Sequence, residues 1–266
     1  MTKIQVFRTI LEAFAFVFMR FGRFWRLAWP AIVGIAVIDT AFTATDAVQD
    51  FDIIFRIVLG IALLLLLALF AVGWFRICSV PDEEIVAADI FRWRDRQKNV
   101  LKLFIEFLLP YLAIISVFFF AYIVSLPYIA PLIPATIVAW IVVLVPQLLF
   151  VALFARFSLA FPAASVDRAV ELKEAWGWSR GNGWRLFWIL VAVPVAVALL
   201  SGVVWRLNAL LPDAGLLLEL AVAALIALLS TMVKFLAVAI GASALSSAYG
   251  RLRLSDAFER LDEASA

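Results

Sequence analysis

The chain has 266 residues, 66% of them apolar and only 16% charged, with a mean hydropathy of +1.08 and a net charge of +2. A water-soluble domain runs near half apolar and a quarter charged, so this inventory cannot cover a water-facing surface, and the bilayer must be the solvent for much of it. With no histidine and one cysteine, Cys78, the sequence excludes imidazole metal sites, His-dependent triads and internal disulfides.

The N-terminus carries Lys3 and Arg8 but no clean apolar run ending in a small-residue cleavage site, so it reads as lacking a cleaved signal peptide. Ile4, Phe7, Leu11, Phe14, Phe18, Phe21 and Trp25 follow one another at spacings of three and four, a single apolar stripe. Gln5, Arg8, Glu12 and Arg23 fall on the other side. This spacing predicts a helix lying in the membrane interface with its aromatic rings in the acyl boundary. A groove on a partner protein would accept the same stripe.

Six hydrophobic stretches follow, at roughly 27–45, 54–76, 102–125, 132–156, 185–205 and 216–250. The second is the clearest, because IVLGIALLLLLALFAVGWF holds no charge over a bilayer-crossing length. The first is the weakest, uninterrupted only from Leu27 to Ile38 before Asp39. At about 1.5 Å per residue the sixth exceeds one upright crossing, so it tilts or begins as an interfacial segment around Leu216 to Leu220. Pro110, Pro146 and Pro194 lie inside spans three, four and five and invite kinks. Cys78, at the end of the second span, reads as a packing residue at the membrane edge. As a nucleophile or lipid-acceptor thiol it lacks a histidine partner.

Nineteen of the twenty-two Lys and Arg residues fall on the N-terminus, the second and fourth connections and the C-terminal tail. The opposite side has only Arg56 and Arg206, with Lys234 inside the sixth span. By the positive-inside rule both termini are expected to be cytoplasmic, and the asymmetry independently supports an even number of spans. Trp25, Trp29, Trp74, Trp93, Trp176, Trp178, Trp184 and Trp188 lie at or near the same basic side, where indoles collect at headgroup level. Arg20, Arg23, Arg26, Arg180 and Arg185, with Trp25, Trp176 and Trp184, are therefore the expected contacts to anionic headgroups.

The fragment AWGWSRGNGWRLFW, from Ala175 to Trp188, reads as a cytoplasmic interfacial turn, with Gly181-Asn182-Gly183 ending one helix and starting the next. A phosphate cradle needs a preceding strand and a longer glycine pattern. Basic residues among aromatics also suit nucleic acid, but here the flanks are bilayer-length, so no nucleic-acid partner is expected.

Basic turns reading MRFGRFWRL, RDRQKNVLKL and WSRGNGWRL each precede a hydrophobic hairpin, at a period of about 80 residues. The chain thus reads as one integral membrane domain of three amphipathic-helix-plus-hairpin units, about 1–80, 81–163 and 164–254, with a short polar tail at 255–266. The third amphipathic helix places Leu172 and Trp176 on one face, with Arg168, Glu171 and Glu174 on the other. In the sixth span Ala239, Ser243 and Ser247, and likewise Ala242, Ser246 and Gly250, lie four apart. Small residues so spaced let helices approach closely in lipid, within one chain or between two copies.

Lys234 lies about 26 Å from the basic boundary at Arg251, and Asp39 about 20 Å from Arg26, so both sit at similar depth in the outer half. A Lys234–Asp39 pair that fixes helix register is one reading; a Lys234 that holds an anionic substrate headgroup, or snorkels outward, is the other. Glu106, four residues after Lys102, is explained by a local ion pair.

Over FARFSLAFPAASVDRAVELKEAWGWSRGNGWRLFWIL the chain resembles a bacterial six-span membrane-domain family, found fused to some glycerophosphodiester phosphodiesterases and standing alone in inner-membrane proteins. The matching residues are Arg156, Ser158, Leu159, Pro162, Trp176, Arg180, Gly181, Asn182, Trp184 and Arg185. The resemblance covers about 40 residues in detail and the rest in topology only. It implies a six-helix bacterial inner-membrane bundle, and no enzyme activity is carried over from it, since the phosphodiesterase chemistry of the fused members belongs to a separate soluble domain.

The expected fold is therefore an all-α polytopic bundle of six transmembrane helices with both termini cytoplasmic. The expected role is non-enzymatic and cofactor-free: an accessory, scaffolding or lipid-interacting subunit, within a larger membrane complex or a homo-oligomer. The alternative is a transporter or channel for a small or lipidic anionic solute, using Lys234, Asp39 and the kinked helices.

Overall fold

A computed structural model describes residues 3–46, 53–80, 95–129, 135–166, 172–208 and 216–265. Among these residues the structure is all helical, with no strand. The nine helices described are α1 Val6–Met19, α2 Phe21–Asp46, α3 Ile53–Ser79, α4 Asp95–Ile129, α5 Ala135–Phe157, α6 Ala160–Ser165, α7 Leu172–Trp178, α8 Gly183–Asn208 and α9 Leu216–Ser265. The described part of each of the six hydrophobic stretches lies on one of the long helices α2, α3, α4, α5, α8 and α9.

Among the described residues, four helices are long and apolar enough to cross a membrane, through Phe21–Ile38, Gly60–Ser79, Gln97–Ser125 and Ala224–Arg253. The described apolar parts of α5 and α8 are shorter, Leu144–Phe157 and Gly183–Ala196. Pro30, Pro146 and Pro194 lie inside α2, α5 and α8 without ending them. The polar tail expected at 255–266 is not separate, because α9 is one helix of 50 residues, about 75 Å long, as far as Ser265.

Helix α9 is the axis of the molecule and packs on α2, α8, α1 and α3. Its small residues Ala239, Ala242, Ser243, Ala244 and Ala248 are buried, so the close approach they permit is used within the chain. Large rings fill the space opposite. Phe24 of α2, Phe70 and Trp74 of α3 and Phe235 of α9 interlock edge to face or stacked, with centroids 5.0 to 6.1 Å apart. A second aromatic group, Phe107, Phe154 and Phe161, ties α4, α5 and the fully buried α6 together at 5.3 to 5.9 Å.

Two expectations change here. Trp74, assigned to the interface by its neighbourhood of basic residues, is fully buried, and its indole N–H donates to Ser243 Oγ at 2.8 Å. An indole N–H removed from water needs a partner, and the α9 serine supplies it. On α1, Thr9, Ala13 and Val17 form the face packed on α9, while Phe7, Leu11 and Phe18 remain exposed at 75%, 53% and 60%. Ile4, the first residue of the expected stripe, leaves it and is buried. The bulky stripe thus points away from the bundle.

Candidate functional site

Arginines from distant parts of the chain meet at one end of the bundle and bond to backbone carbonyls. Arg20, at the turn between α1 and α2, donates to Ile77 O at 3.1 Å in the last turn of α3. Arg76, near the end of α3, reaches Ser165 O at 3.5 Å, the last residue of α6. The final carbonyls of a helix have no partner within it and carry the negative end of its dipole, so a guanidinium suits both needs. Arg20 also lies 4.4 Å over the ring of Phe16.

The Gly181-Asn182-Gly183 turn holds the start of the chain. Gly181 has φ of 74°, a left-handed conformation that glycine reaches without cost, and it lets the chain reverse between α7 and α8. Asn182 is thereby buried, and its Oδ1 accepts the backbone N–H of Ile4 at 3.1 Å. Arg185, in the first turn of α8, donates to the carbonyl of the same Ile4 at 3.0 Å. Both main-chain groups of Ile4 are thus satisfied by one turn, which fixes where α1 begins.

Arg156 completes the junction. Its guanidinium lies 4.7 Å over the Trp176 ring, and a Cβ added at Gly183 would meet its Nε at 3.3 Å. A side chain at 183 would require Arg156 to shift by a few tenths of an ångström. Phe157 packs on the same indole at 5.2 Å.

Under α1 lies a half-open pocket of about 250 Å³, lined by Glu12, Ala13, Phe16, Cys78, Ser243, Ser246 and Ser247. Glu12 accepts from Arg8 on Oε1 at 2.8 Å and from Arg251 of α9 on Oε2, joining α1 to α9 by charge. The Cys78 thiol lies 3.5 Å from Ser243 Oγ, which itself donates to Ala239 O at 2.8 Å. Ser246 Oγ is shielded from solvent and faces the same thiol.

The expected headgroup residues divide in two. Arg26, Arg180, Trp25 and Trp184 are exposed, and Trp176 is partly so. Trp184 forms an outward cluster with Phe187 and Trp188, 4.9 and 5.4 Å away. Arg20 and Arg185 have donors committed to the protein, and Arg23 is half-buried and engaged. Lys234 is half-buried in α9, with no hydrogen bond or ion pair among the described residues. The side chain of Asp39 lies outside the described residues, as do residues 81–94, the start of the second expected unit. Lys102 and Glu106 do pair, at 3.8 Å.

Asn182, Glu12, Ser246 and Ser247 gain roles that sequence spacing does not reveal, because their partners lie more than 160 residues away or on another helix. Among the described residues no cluster of His, Cys, Asp and Glu could hold a metal ion. No family model matches the chain, and no curated protein or solved structure matches it.

Proposed function

We propose that the chain is a non-enzymatic six-span protein of the bacterial inner membrane, with both termini and its arginine-rich end in the cytoplasm. Its role is that of an accessory or scaffolding subunit that engages anionic lipid. The observation that carries this reading is the outward apolar stripe Phe7, Leu11 and Phe18 at the same end as exposed Arg26, Arg180, Trp25 and Trp184. Aromatics beside arginines suit the boundary between acyl chains and anionic headgroups. The lopsided Lys and Arg distribution supports six crossings and the inward orientation. The family resemblance supports the same architecture: its motif residues Arg156, Leu159, Asn182 and Arg185 are those packed into the junction.

The test is thermal stability in nanodiscs of phosphatidylglycerol against phosphatidylcholine. The anionic lipid is expected to raise the melting temperature, and the Arg26→Ala/Arg180→Ala double variant to lose that increment. Equal stability in both lipids, or an increment that the double variant keeps, overturns the reading.

Lys234 favours a second reading, a transporter of a small or lipidic anionic solute. A half-buried ammonium within an apolar span is costly unless it serves a pathway. In liposomes, Lys234→Met would abolish anion flux while leaving stability intact; unchanged flux removes this reading.

A further inference from the structure

We infer that the protein is a wedge, broader in the cytoplasmic leaflet than in the outer one, and that it prefers a bilayer curved so that the cytoplasmic leaflet is the convex side. The inference rests on the membrane reading above and adds to it the shape of the lipid surface.

The connections between long helices set the asymmetry. At the arginine-rich end the chain builds three additional short helices, α1, α6 and α7. At the other end the long helices are joined through residues 47–52, 130–134 and 209–215, none of which is long enough for more than about two turns of helix. The added cross-section therefore belongs to one end.

Helix α1 contributes most of it, because it lies across the long helices rather than along one of them. The segment is held at three points. Asn182 and Arg185, at the start of α8, hold Ile4. Arg251 of α9 holds Glu12, and Arg20 is bonded to the Ile77 carbonyl in the last turn of α3. These points lie on three different long helices at the same end of the bundle. Helix α1, with 14 residues and about 21 Å long, is thus strapped across that end.

The faces of α1 set its roll. At about 100° per residue, Thr9, Ala13 and Val17 make the face buried against the bundle. Arg8 and Glu12 lie to one side of it, and exposed Phe7, Leu11 and Phe18 to the other, where half-buried Phe14 joins them. With the charged side in water, the aromatic side enters the acyl boundary, where such a helix buries its apolar face by about 5–10 Å. A free amphipathic helix relieves crowding by leaving the membrane. Helix α1 is bonded to the bundle at both ends, so its volume stays in one leaflet and curvature supplies the room.

The experiment uses the full-length Cys78→Ala/Lys98→Cys protein in giant vesicles of phosphatidylcholine, a lipid without net charge. A membrane-impermeant dye maleimide added outside labels only molecules whose arginine-rich end faces outward, and a nanotube is then drawn from the vesicle. Labelled protein should be several-fold denser in the tube than in the parent membrane, increasingly so as the tube narrows. The Phe7→Ser/Leu11→Ser/Phe18→Ser variant, altered only at exposed positions, should lose most of that enrichment at unchanged melting temperature. Equal density in tube and vesicle, depletion from the tube, or enrichment that the triple variant keeps overturns the inference. A protein carrying both Lys98→Cys and Lys173→Cys checks the underlying topology on the same vesicles. Two dyes or none per molecule is the expected uptake, and uniform density with that uptake removes the wedge alone. One dye per molecule removes the six-span reading and the wedge together.

Discussion

Asn182 contributes a single acceptor, but it fixes the position of the N-terminal helix. Its carboxamide is buried against the backbone of Ile4, so Asn182→Ala leaves a buried N–H without its partner. The expected loss is about 1–3 kcal/mol in detergent unfolding. Gly181→Val should cost about 1–2 kcal/mol for a different reason, since a β-branched residue is strained at φ of 74°. Gly22→Ala, on a helix with open space around it, is the control and should not destabilise. The sequence made the Gly-Asn-Gly turn legible, because glycine and asparagine favour helix ends whatever surrounds them. It did not reveal what the asparagine holds, since Ile4 lies 178 positions away. Trp74 makes the same point in reverse. Proximity to Arg76 placed it at the interface, but the rotation of α3 turns it inward to Ser243.

Besides its packed face, helix α1 is joined to the bundle by two polar links of unequal strength. The Glu12–Arg251 pair is more than a third exposed at both ends, so Arg251→Ala should cost no more than about 1 kcal/mol. The Ile4 clamp is partly buried and involves main chain. Arg185→Ala should therefore speed hydrogen exchange across 6–19, while Arg251→Ala changes it little; the opposite ranking would contradict the clamp. The existence of the long helices was legible because hydrophobic length is a local property. The docking face of α1 was not. Residues 9, 13 and 17 share a face just as residues 7, 11, 14 and 18 do, and bulk favours the wrong one. Close packing on a helix of small residues selects the slimmer face.

Across the whole chain, charge and packing agree. The residues that place Lys and Arg on one side of the sequence map are also those that close one end of the bundle: Arg20, Arg76, Arg156, Arg185 and Arg251. The helical, strongly apolar character can be read from composition, whereas the pocket cannot, because its lining comes from α1, α3 and α9. The six-span, ends-inside proposal is best tested by impermeant-maleimide labelling in a Cys78→Ala background, with single cysteines at Lys3, Lys98, Lys173 and Arg253. These positions are exposed and separated by successive helical hairpins. All four should resist labelling in intact bacterial cells and react once the inner membrane is opened. Labelling of Lys173→Cys from outside, with Lys98→Cys still protected, would show that α4 and α5 do not both cross and would contradict the proposal.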